Sequence, residues 1–428
     1  MMGRNSLSKS MILAVGAAAA ASYPPVPEQI HLSLTGARGE MAVDFVTAAP
    51  GAYVFWGVDA ARLASSSPAT ATNTTLNGWT AWLNTALVTG LAPNTTYYYC
   101  VGLNYTVVGR SEIYAFVNEP AREGGAVWAM FADLGYINSL AFTRLLVDAQ
   151  SGGFDYVGHW GDFAYDMDDD NSRVGNAFMN MIQPVAAQIP YLPSVGNHEA
   201  VGEQGGSAFI QYVSRFAGVA RFAGARSGSG SNLWYSLNEG LVHLVVFCTE
   251  TWIMTDAQVR AQLAWLRADL AAVDRAATPW VVAAAHKHAG MDQTNFTSSG
   301  LGDALMTAGS APVDLFFVGH QHAYYRYYAI DMRGPTMYYA CNNSDASVYT
   351  RCPAPVIVVT GAAGNNEANS PTCGTAPTVY LHACSANYGY GKLRVVNAST
   401  AVWRWETAVH REGAPDPPTY ADEFTIHR

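Results

Sequence analysis

The chain has 428 residues, of which half are hydrophobic, and a formal net charge of −10 at pH 7. This length allows two or three domains, and the apolar content is sufficient for large buried cores. Only 13% of the residues are charged, and lysine and arginine form no stripe, so the composition argues against nucleic acid as a main partner.

The first 22 residues have the pattern of a secretory signal peptide. Arg4 and Lys9 precede an apolar run that ends in small residues near Ala21. This run is too short to span a bilayer, and no later run is long and uninterrupted enough to do so. A disordered N-terminus is the alternative. We therefore expect residues 1–22 to be a signal peptide and the protein to be secreted or delivered to a lysosome or vacuole.

The glycosylation sequons of the chain also fit a secreted protein. Asn-x-Ser/Thr occurs six times, and each site is a predicted glycosylation site: Asn73, Asn94, Asn104, Asn295, Asn342 and Asn397. This number is higher than we expect by accident in a cytosolic chain.

The cysteines of the chain also fit a secreted protein. The chain has six of them. Two pairs are close in sequence, Cys341 with Cys352 and Cys373 with Cys384, and each pair could close a small loop. Cys100 and Cys248 are left over. Sequence alone leaves the connectivity open. In an oxidising compartment we expect at least two disulfides, and free buried thiols are the alternative.

Residues 24–120 contain short apolar runs separated by turn signals. The runs are QIHLSLTG, GEMAVDFVT, AYVFWGV, TAWLNTALVTGL, TTYYYCVGL and EIYAFVNEP. Many of them alternate apolar and polar residues with a period of two, which indicates half-buried strands. Regular short strands of this kind predict an all-β sandwich. Acidic residues and histidines do not cluster here, so we expect no catalysis in this domain.

From about residue 126 onward, short apolar runs alternate with helical patterns. SLAFTRLLVDAQ, VGNAFMNMIQPVAAQ and AQLAWLRADLAAV have the spacing of helices, and runs such as VWAMFADLG and VDLFFVGHQH lie between them. This alternation predicts a layered α/β domain over residues 126–428.

Five apolar runs of this second domain end in side chains of the kind that bind metals. They end at Asp133 in FADLG, Asp162 in WGDFAY, Asn197 and His198 in GNHE, His286 in AAAHKH, and His320 and His322 in GHQH. A single Asp or His at a strand end is more often structural. The functional crevice of an open α/β sheet, however, lies beyond the carboxyl ends of its strands. Five such ends in succession therefore predict a metal site.

The order of these motifs resembles that of the purple acid phosphatases, two-metal members of the metallophosphoesterase superfamily. The motifs are D-x-G, G-D-x-x-Y, G-N-H-E, a strand-end histidine and G-H-x-H, and Tyr165 is the residue that narrows the resemblance to this family. PEQIHLSLTG looks like the family's N-terminal fibronectin type III-like domain, and YGYGKLRVVNAS looks like its C-terminal part. The resemblance implies an all-β N-terminal sandwich followed by an α/β/β/α metallophosphoesterase domain.

The resemblance also implies a binuclear metal centre. Its Fe(III) ligands would be Asp133, Asp162, Tyr165 and His322, and the ligands of a divalent iron, zinc or manganese would be the bridging Asp162 with Asn197, His286 and His320. Anionic oxygen ligands suit ferric iron, whereas imidazole and amide ligands suit a divalent metal. Two carboxylates and a phenolate would leave roughly two positive charges for a hydroxide and a phosphate.

The implied activity is that of an acid phosphatase, which would hydrolyse small phosphate monoesters with a metal-bound hydroxide as nucleophile. His198 would stabilise the phosphoryl oxygens or protonate the leaving group, and Glu199 would orient a neighbour. One alternative is a phosphodiesterase or nucleotide pyrophosphatase on the same two metals. A second alternative is a non-catalytic secreted binding protein. The natural substrate and the oligomeric state are not determined by the sequence.

The chain departs from the family pattern after His286. The family usually has His-x-Pro there, and this chain has His286-Lys287-His288. Many members carry further histidines, or a Glu-His pair, shortly downstream, where this chain has TNF at residues 294–296. His288 is the candidate to replace the missing acid.

Acidic residues crowd behind Tyr165. Asp166, Asp168, Asp169 and Asp170 have no place in the ligand motif. We expect them to lie in a solvated loop or at a helix start, where acids are favourable. A calcium loop is the alternative, although the glycine and terminal glutamate of an EF-hand loop are missing.

Overall fold

The structure is a computed structural model. It describes residues 26–103, 109–200, 208–288, 299–307, 313–332, 338–339, 341, 347–367, 373, 381–414, 417 and 419–428. The predicted signal peptide 1–22, residues 294–296 and the sequons at Asn104, Asn295 and Asn342 lie outside these ranges. In the described part of the chain, no helix is long and apolar enough to cross a membrane.

Two four-stranded sheets form the N-terminal sandwich. Their strands are β1 Glu28–Ser33, β2 Glu40–Thr47, β3 Ala52–Gly57, β4 Ser65–Pro68, β5 Thr70–Leu76, β6 Trp79–Thr89, β7 Thr95–Leu103 and β8 Tyr114–Asn118. One sheet has the order β1-β2-β6-β5 and the other β4-β3-β7-β8. The predicted sandwich is confirmed, with each of the six predicted runs forming a strand. The sequence analysis missed β4 and β5 because their residues are mostly serine and threonine and lack apolar alternation.

The second domain combines strands with short and medium helices. Its helices are α1 Phe142–Gln150, α2 Asp169–Ala186, α3 Ile210–Arg215, α4 Ala217–Val219, the π-helix Ala220–Gly224, α5 Asp256–Ala271 and α6 Leu301–Thr307. Its strands are β9 Ala126–Phe131, β10 Leu134–Gly135, β11 Tyr156–Trp160, β12 Phe163–Ala164, β13 Tyr191–Ser194, β14 Tyr235–Glu239, β15 Val242–Val246, β16 Trp280–Ala284, β17 Leu315–Val318, β18 Tyr324–Asp331, β19 Tyr338–Tyr339, β20 Val348–Thr350, β21 Val356–Thr360, β22 Leu381–Ser385, β23 Tyr388–Asn397, β24 Thr400–Val409 and β25 Ala421–His427.

Two large sheets form the centre of this domain. One has the order β13-β11-β9-β23-β24-β25-β20, and the other β14-β15-β16-β17-β21-β18-β19, with β22 pairing to β18. Strands β9, β11 and β13 pair in parallel, as do β15, β16 and β17. These strands are almost entirely buried, as expected for parallel strands covered on both faces. The predicted layered α/β/β/α architecture is confirmed.

Polar contacts join the sandwich to the second domain. The backbone N–H of Gln29 donates to Asn180 Oδ1 at 3.1 Å, and the hydroxyl of Tyr99 donates to the carbonyl of Ala187 at 2.6 Å. Arg215 Nη1 donates to Gln29 Oε1 at 2.6 Å. All these groups except Asn180 are buried, so the sandwich packs directly on helices α2 and α3.

Two disulfides are present, Cys341–Cys352 and Cys373–Cys384. They confirm the expectation of at least two bridges, and they join the residues that are close in sequence. Cys100 and Cys248 are free and buried.

Candidate metal centre

The seven predicted ligands follow strand ends that meet at one place. Asp133 follows β9, Asp162 follows β11, Asn197 follows β13, His286 follows β16, and His320 follows β17. Because parallel strands share one carboxyl edge, these side chains converge although they are far apart in sequence. Tyr165 and His322 reach the same place from the loops behind Asp162 and His320.

One group of donors surrounds the phenol of Tyr165. Its oxygen lies 2.9 Å from Asp133 Oδ1 and 2.9 Å from His322 Nε2, and these two atoms are 3.3 Å apart. All three residues are buried. Burial and the Asp133 carboxylate raise the pKa of Tyr165, so the phenolate form needs a cation beside it.

A second group lies beside the first, where the backbone N–H of Asp133 donates to the carbonyl of Gly161, the residue before Asp162, at 3.1 Å. His286 Nε2 lies 3.1 Å from Asp162 Oδ2 and 3.1 Å from Asn197 Oδ1, and one donor atom each from Asp162, His286 and His320 lies within 4.8 Å of the others. Burial lowers the pKa of His286, but the facing Asp162 outweighs this and raises the pKa to about 10. Burial and His286 lower the pKa of His320 to about 4. These two donor sets fit a pair of metal ions in number, type and proximity.

Backbone geometry brings these donors close together. Asp133, Asp162, Tyr165 and His320 have φ values of 61°, 57°, 56° and 70°, in the left-handed region that favours glycine. A Cβ atom on Gly196 would collide with Asp162 Oδ1, and one on Gly319 would collide with Asp133 Oδ2. Glycine is therefore required before Asn197 and before His320, because a carboxylate occupies the space that a side chain would take.

Glu199 holds two of the ligand loops together. Its carboxylate accepts the backbone N–H of Asp162 at 2.9 Å, of Phe163 at 2.8 Å and of Gly196 at 2.8 Å. The side chain is buried, and burial and the nearby Asp162 carboxylate raise its pKa. It orients the backbone next to Asp162 and Asn197, in agreement with the orienting role expected from the sequence.

His198 lies between three carboxylates at the edge of the centre. Its Nδ1 is 2.5 Å from Asp166 Oδ1, and its Nε2 is 3.2 Å from Glu367 Oε1 and 4.0 Å from Asp162 Oδ2. Burial lowers its pKa, but the hydrogen bond to Asp166 and the Asp162 charge outweigh it and raise the pKa to about 9. His198 is only 16% exposed, so its ring has a defined position beside the donor atoms.

The acidic run behind Tyr165 differs in part from the expectation. Asp169 and Asp170 are exposed at the start of the α2 range, as predicted, but a kink with positive φ at residues 170–172 separates them from the regular helix. Asp168 is buried rather than solvated, and Asp166 contacts His198. Asp166 has this contact because the turn after Tyr165 points back to the GNHE loop, which sequence spacing does not show.

Two further histidines beside the ligand strands, His159 and His288, are buried. His159 Nδ1 lies 2.8 Å from the Tyr191 hydroxyl, and burial lowers its pKa, which fits the structural role expected for it. His288 is 1% exposed and packs edge-on against Tyr327. Burial and His320 lower the pKa of His288 to about 3. Between His286 and His288, the Lys287 ammonium lies 2.9 Å from the buried Glu250 carboxylate.

Sequence analysis missed two residues of the centre. The loop after β21 brings Asn365 Nδ2 to 3.1 Å from the Tyr165 oxygen and Glu367 Oε2 to 3.8 Å from His322 Nε2. This loop also follows a buried apolar strand and contains polar residues, GNNE. The same strand-end rule that found the other residues would have found these.

Comparison with known families agrees with this geometry along most of the chain. Residues 27–118 match "Purple acid Phosphatase, N-terminal domain", residues 129–324 match "Calcineurin-like phosphoesterase", and residues 354–413 match "Iron/zinc purple acid phosphatase-like protein C".

Individual relatives extend over both domains. The chain is 33% identical to acid phosphatase type 7 of Mus musculus over 90% of this chain and 88% of the relative. It is 27% identical to purple acid phosphatase 22 of Arabidopsis thaliana over 89% and 81% of the two chains. A purple acid phosphatase isolated from yellow lupin (Lupinus luteus) seeds has the same fold, with a TM-score of 0.69 and 22% identity over 94% of this chain and 75% of that one. The chain therefore belongs to the purple acid phosphatase family and is an acid phosphatase.

Proposed function

We propose that the chain hydrolyses small phosphate monoesters at a centre of Fe(III) and one divalent metal. The ferric ion would be held by Asp133, Tyr165 and His322. The divalent ion would be held by Asn197, His286 and His320. Asp162 would bind both ions. The observation that carries this proposal is the adjacency of the two donor sets, one anionic and one mainly neutral. Iron, zinc and manganese all suit the second set.

When bound, the metals would neutralise phosphoryl charge and acidify the water that attacks phosphorus. The chain's own residues would position the substrate. His198 Nε2 lies 3.2 Å from Glu367 Oε1 and 4.0 Å from Asp162 Oδ2, and the protonated ring would donate its Nε2 proton to a phosphoryl oxygen or to the leaving alkoxide. Asp166 would fix the His198 ring by accepting the Nδ1 proton, and Glu367 Oε2 lies 3.8 Å from His322 Nε2.

Rates on paired substrates test the proposal. The metal-loaded protein should hydrolyse p-nitrophenyl phosphate much faster than bis-p-nitrophenyl phosphate, and His320→Ala should abolish both activities. A higher rate on the diester would favour the phosphodiesterase or nucleotide pyrophosphatase alternative. The family membership argues against the alternative of a non-catalytic binding protein.

We also propose that the chain is a secreted or lysosomal/vacuolar glycoprotein. The two disulfides fit an oxidising compartment, and the sequon asparagines Asn73, Asn94 and Asn397 are exposed. Expression in a secretory eukaryotic cell should give a product that lacks residues 1–22 and moves faster on a gel after treatment with an N-glycosidase. A product that retains its N-terminus inside the cell would contradict this.

A further inference from the structure

A groove with both polar and apolar walls lies between the sandwich and the second domain, away from the candidate metal centre. Its volume is about 360 Å³. Residues of β2, β5 and β6 form one wall, and residues between Ser214 and Arg221 form the other. None of the seven candidate metal ligands lines it. We call this cavity the interdomain groove.

The buried guanidinium of Arg215 lines the interdomain groove and meets only neutral acceptors. It donates to Gln211 Oε1 at 3.1 Å, to Gln29 Oε1 at 2.6 Å and to Asn176 Oδ1 at 3.0 Å, and it stacks over Trp79 at 4.8 Å. No carboxylate among the described residues forms an ion pair with it. Burial lowers its pKa to about 9, although the more distant Glu28 opposes this shift. A buried cation without a counter-ion is unfavourable, and a bound anion would offset that cost.

A second cation and a row of hydroxyl groups line the same space. Arg221 is exposed, lines the interdomain groove, and pairs with no carboxylate in the described ranges. Across from it are Thr70, Thr72 and Thr74, alternate residues of β5. Alternate residues of a strand share one face, so the threonines point into the groove and the sequon residue Asn73 points away. Hydroxyl groups and guanidinium groups are both donors to oxyanions.

One acidic residue also lines the groove, and its carboxylate is already engaged. Asp44 accepts hydrogen bonds from Ser33 at 3.0 Å, from Thr85 at 2.6 Å and from the backbone N–H of Gly218 at 3.1 Å. Burial raises its pKa, and the nearby His31 opposes that shift. Asp44 is 3% exposed, and these three hydrogen bonds occupy its carboxylate.

We propose that the interdomain groove binds a small tetrahedral oxyanion between Arg215, Arg221 and the β5 threonines. Inorganic phosphate is the oxyanion that the proposed reaction releases, so only this choice of ligand rests on the proposed function. Arg215 already makes four hydrogen bonds to Gln211, Gln29 and Asn176, so it would contribute mainly its charge. The planar guanidinium of Arg221 would match two oxygens of the anion at once. Residues of both domains would hold the ligand.

Equilibrium dialysis of the metal-loaded protein against labelled inorganic phosphate tests this. We expect two phosphates per chain, one of which is lost in His320→Ala. Arg221→Ala should weaken the binding of the second phosphate, the one in the interdomain groove, about tenfold or more. Thr72→Val should weaken that binding less, because a charged donor contributes more than a hydroxyl. The matched controls are Arg260→Ala and Thr75→Val, which should not change phosphate binding. Arg260 is an exposed arginine on α5, and Thr75 lies on the opposite face of β5.

The variants distinguish a failure of the groove proposal from a failure of the proposed function. If His320→Ala binds no phosphate, or if Arg221→Ala binds like the unchanged protein, the groove proposal is overturned. If the unchanged protein binds one phosphate that Arg221→Ala loses and His320→Ala keeps, the groove proposal stands and the proposed function fails. Unchanged turnover of p-nitrophenyl phosphate by Arg221→Ala at low phosphate would show that the catalytic centre is intact in that variant.

Discussion

Asp166 Oδ1 lies 2.5 Å from His198 Nδ1, so an acid outside the ligand motif fixes the ring that faces the candidate metal centre. A carboxylate only accepts hydrogen bonds, so the proton of this pair is on the imidazole. The other ring nitrogen then points to Asp162 and Glu367.

Asp166→Asn should shift the alkaline limb of the pH–rate profile to lower pH. In the unchanged protein Asp166 helps raise the pKa of His198 to about 9, so His198 stays protonated up to that pH. Without the Asp166 charge the pKa of His198 falls by roughly one unit, so His198 loses its proton at a lower pH than in the unchanged protein. Asp170→Asn, in the same acidic run but exposed, is the control. An identical alkaline limb in both variants would contradict the assignment.

Tyr165→Phe should remove the visible charge-transfer band of the protein. The band arises when a phenolate binds Fe(III), and Tyr165 is the tyrosine whose oxygen lies beside both Asp133 and His322. The absorption spectrum and the metal content are measured together, with Tyr53→Phe in the sandwich as control. A coloured Tyr165→Phe protein, or a colourless unchanged protein that holds two metals, would rule out tyrosinate-bound iron.

Glu199→Gln should lower both stability and metal content. The amide keeps one acceptor oxygen and brings an NH₂ group toward the backbone N–H groups of Asp162, Phe163 and Gly196. A buried backbone N–H left without an acceptor costs about 1–3 kcal/mol. Thermal unfolding and metal analysis check this, and Glu112→Gln, at an exposed sandwich site, is the control. Full metal content and an unchanged melting temperature would refute the orienting role.

His288→Ala distinguishes proton donation from packing. Burial and His320 lower the pKa of His288 to about 3, which argues against a proton donor at mildly acid pH. We therefore expect the variant to slow alkyl and p-nitrophenyl phosphate hydrolysis by the same factor and to unfold at a lower temperature. A selective loss on the alkyl substrate, which has the poorer leaving group, would instead support His288 as the leaving-group acid.

Much of the fold and six of the seven candidate ligands could be predicted from local sequence patterns, whereas Tyr165 was predicted only from the resemblance to the family. Buried parallel strands such as β11 and β16 are continuous apolar runs, and the ligand comes directly after each. Strands β4 and β5 have no such pattern and were missed. The contact of Asp166 with His198 depends on how the loop after Tyr165 turns in space, which residue spacing does not encode.

The pairing of β9 with β23 has a consequence for how the protein is made. Strand β9 leads to Asp133, and its neighbour β23, with Met130 opposite Gly391, comes from the last part of the chain. On the ribosome, the first ligand strand therefore has one unpaired edge until almost all of the protein has been synthesised. A message cut short after residue 324, where the phosphoesterase match ends, would encode every candidate ligand and still yield a chain prone to aggregation instead of an enzyme.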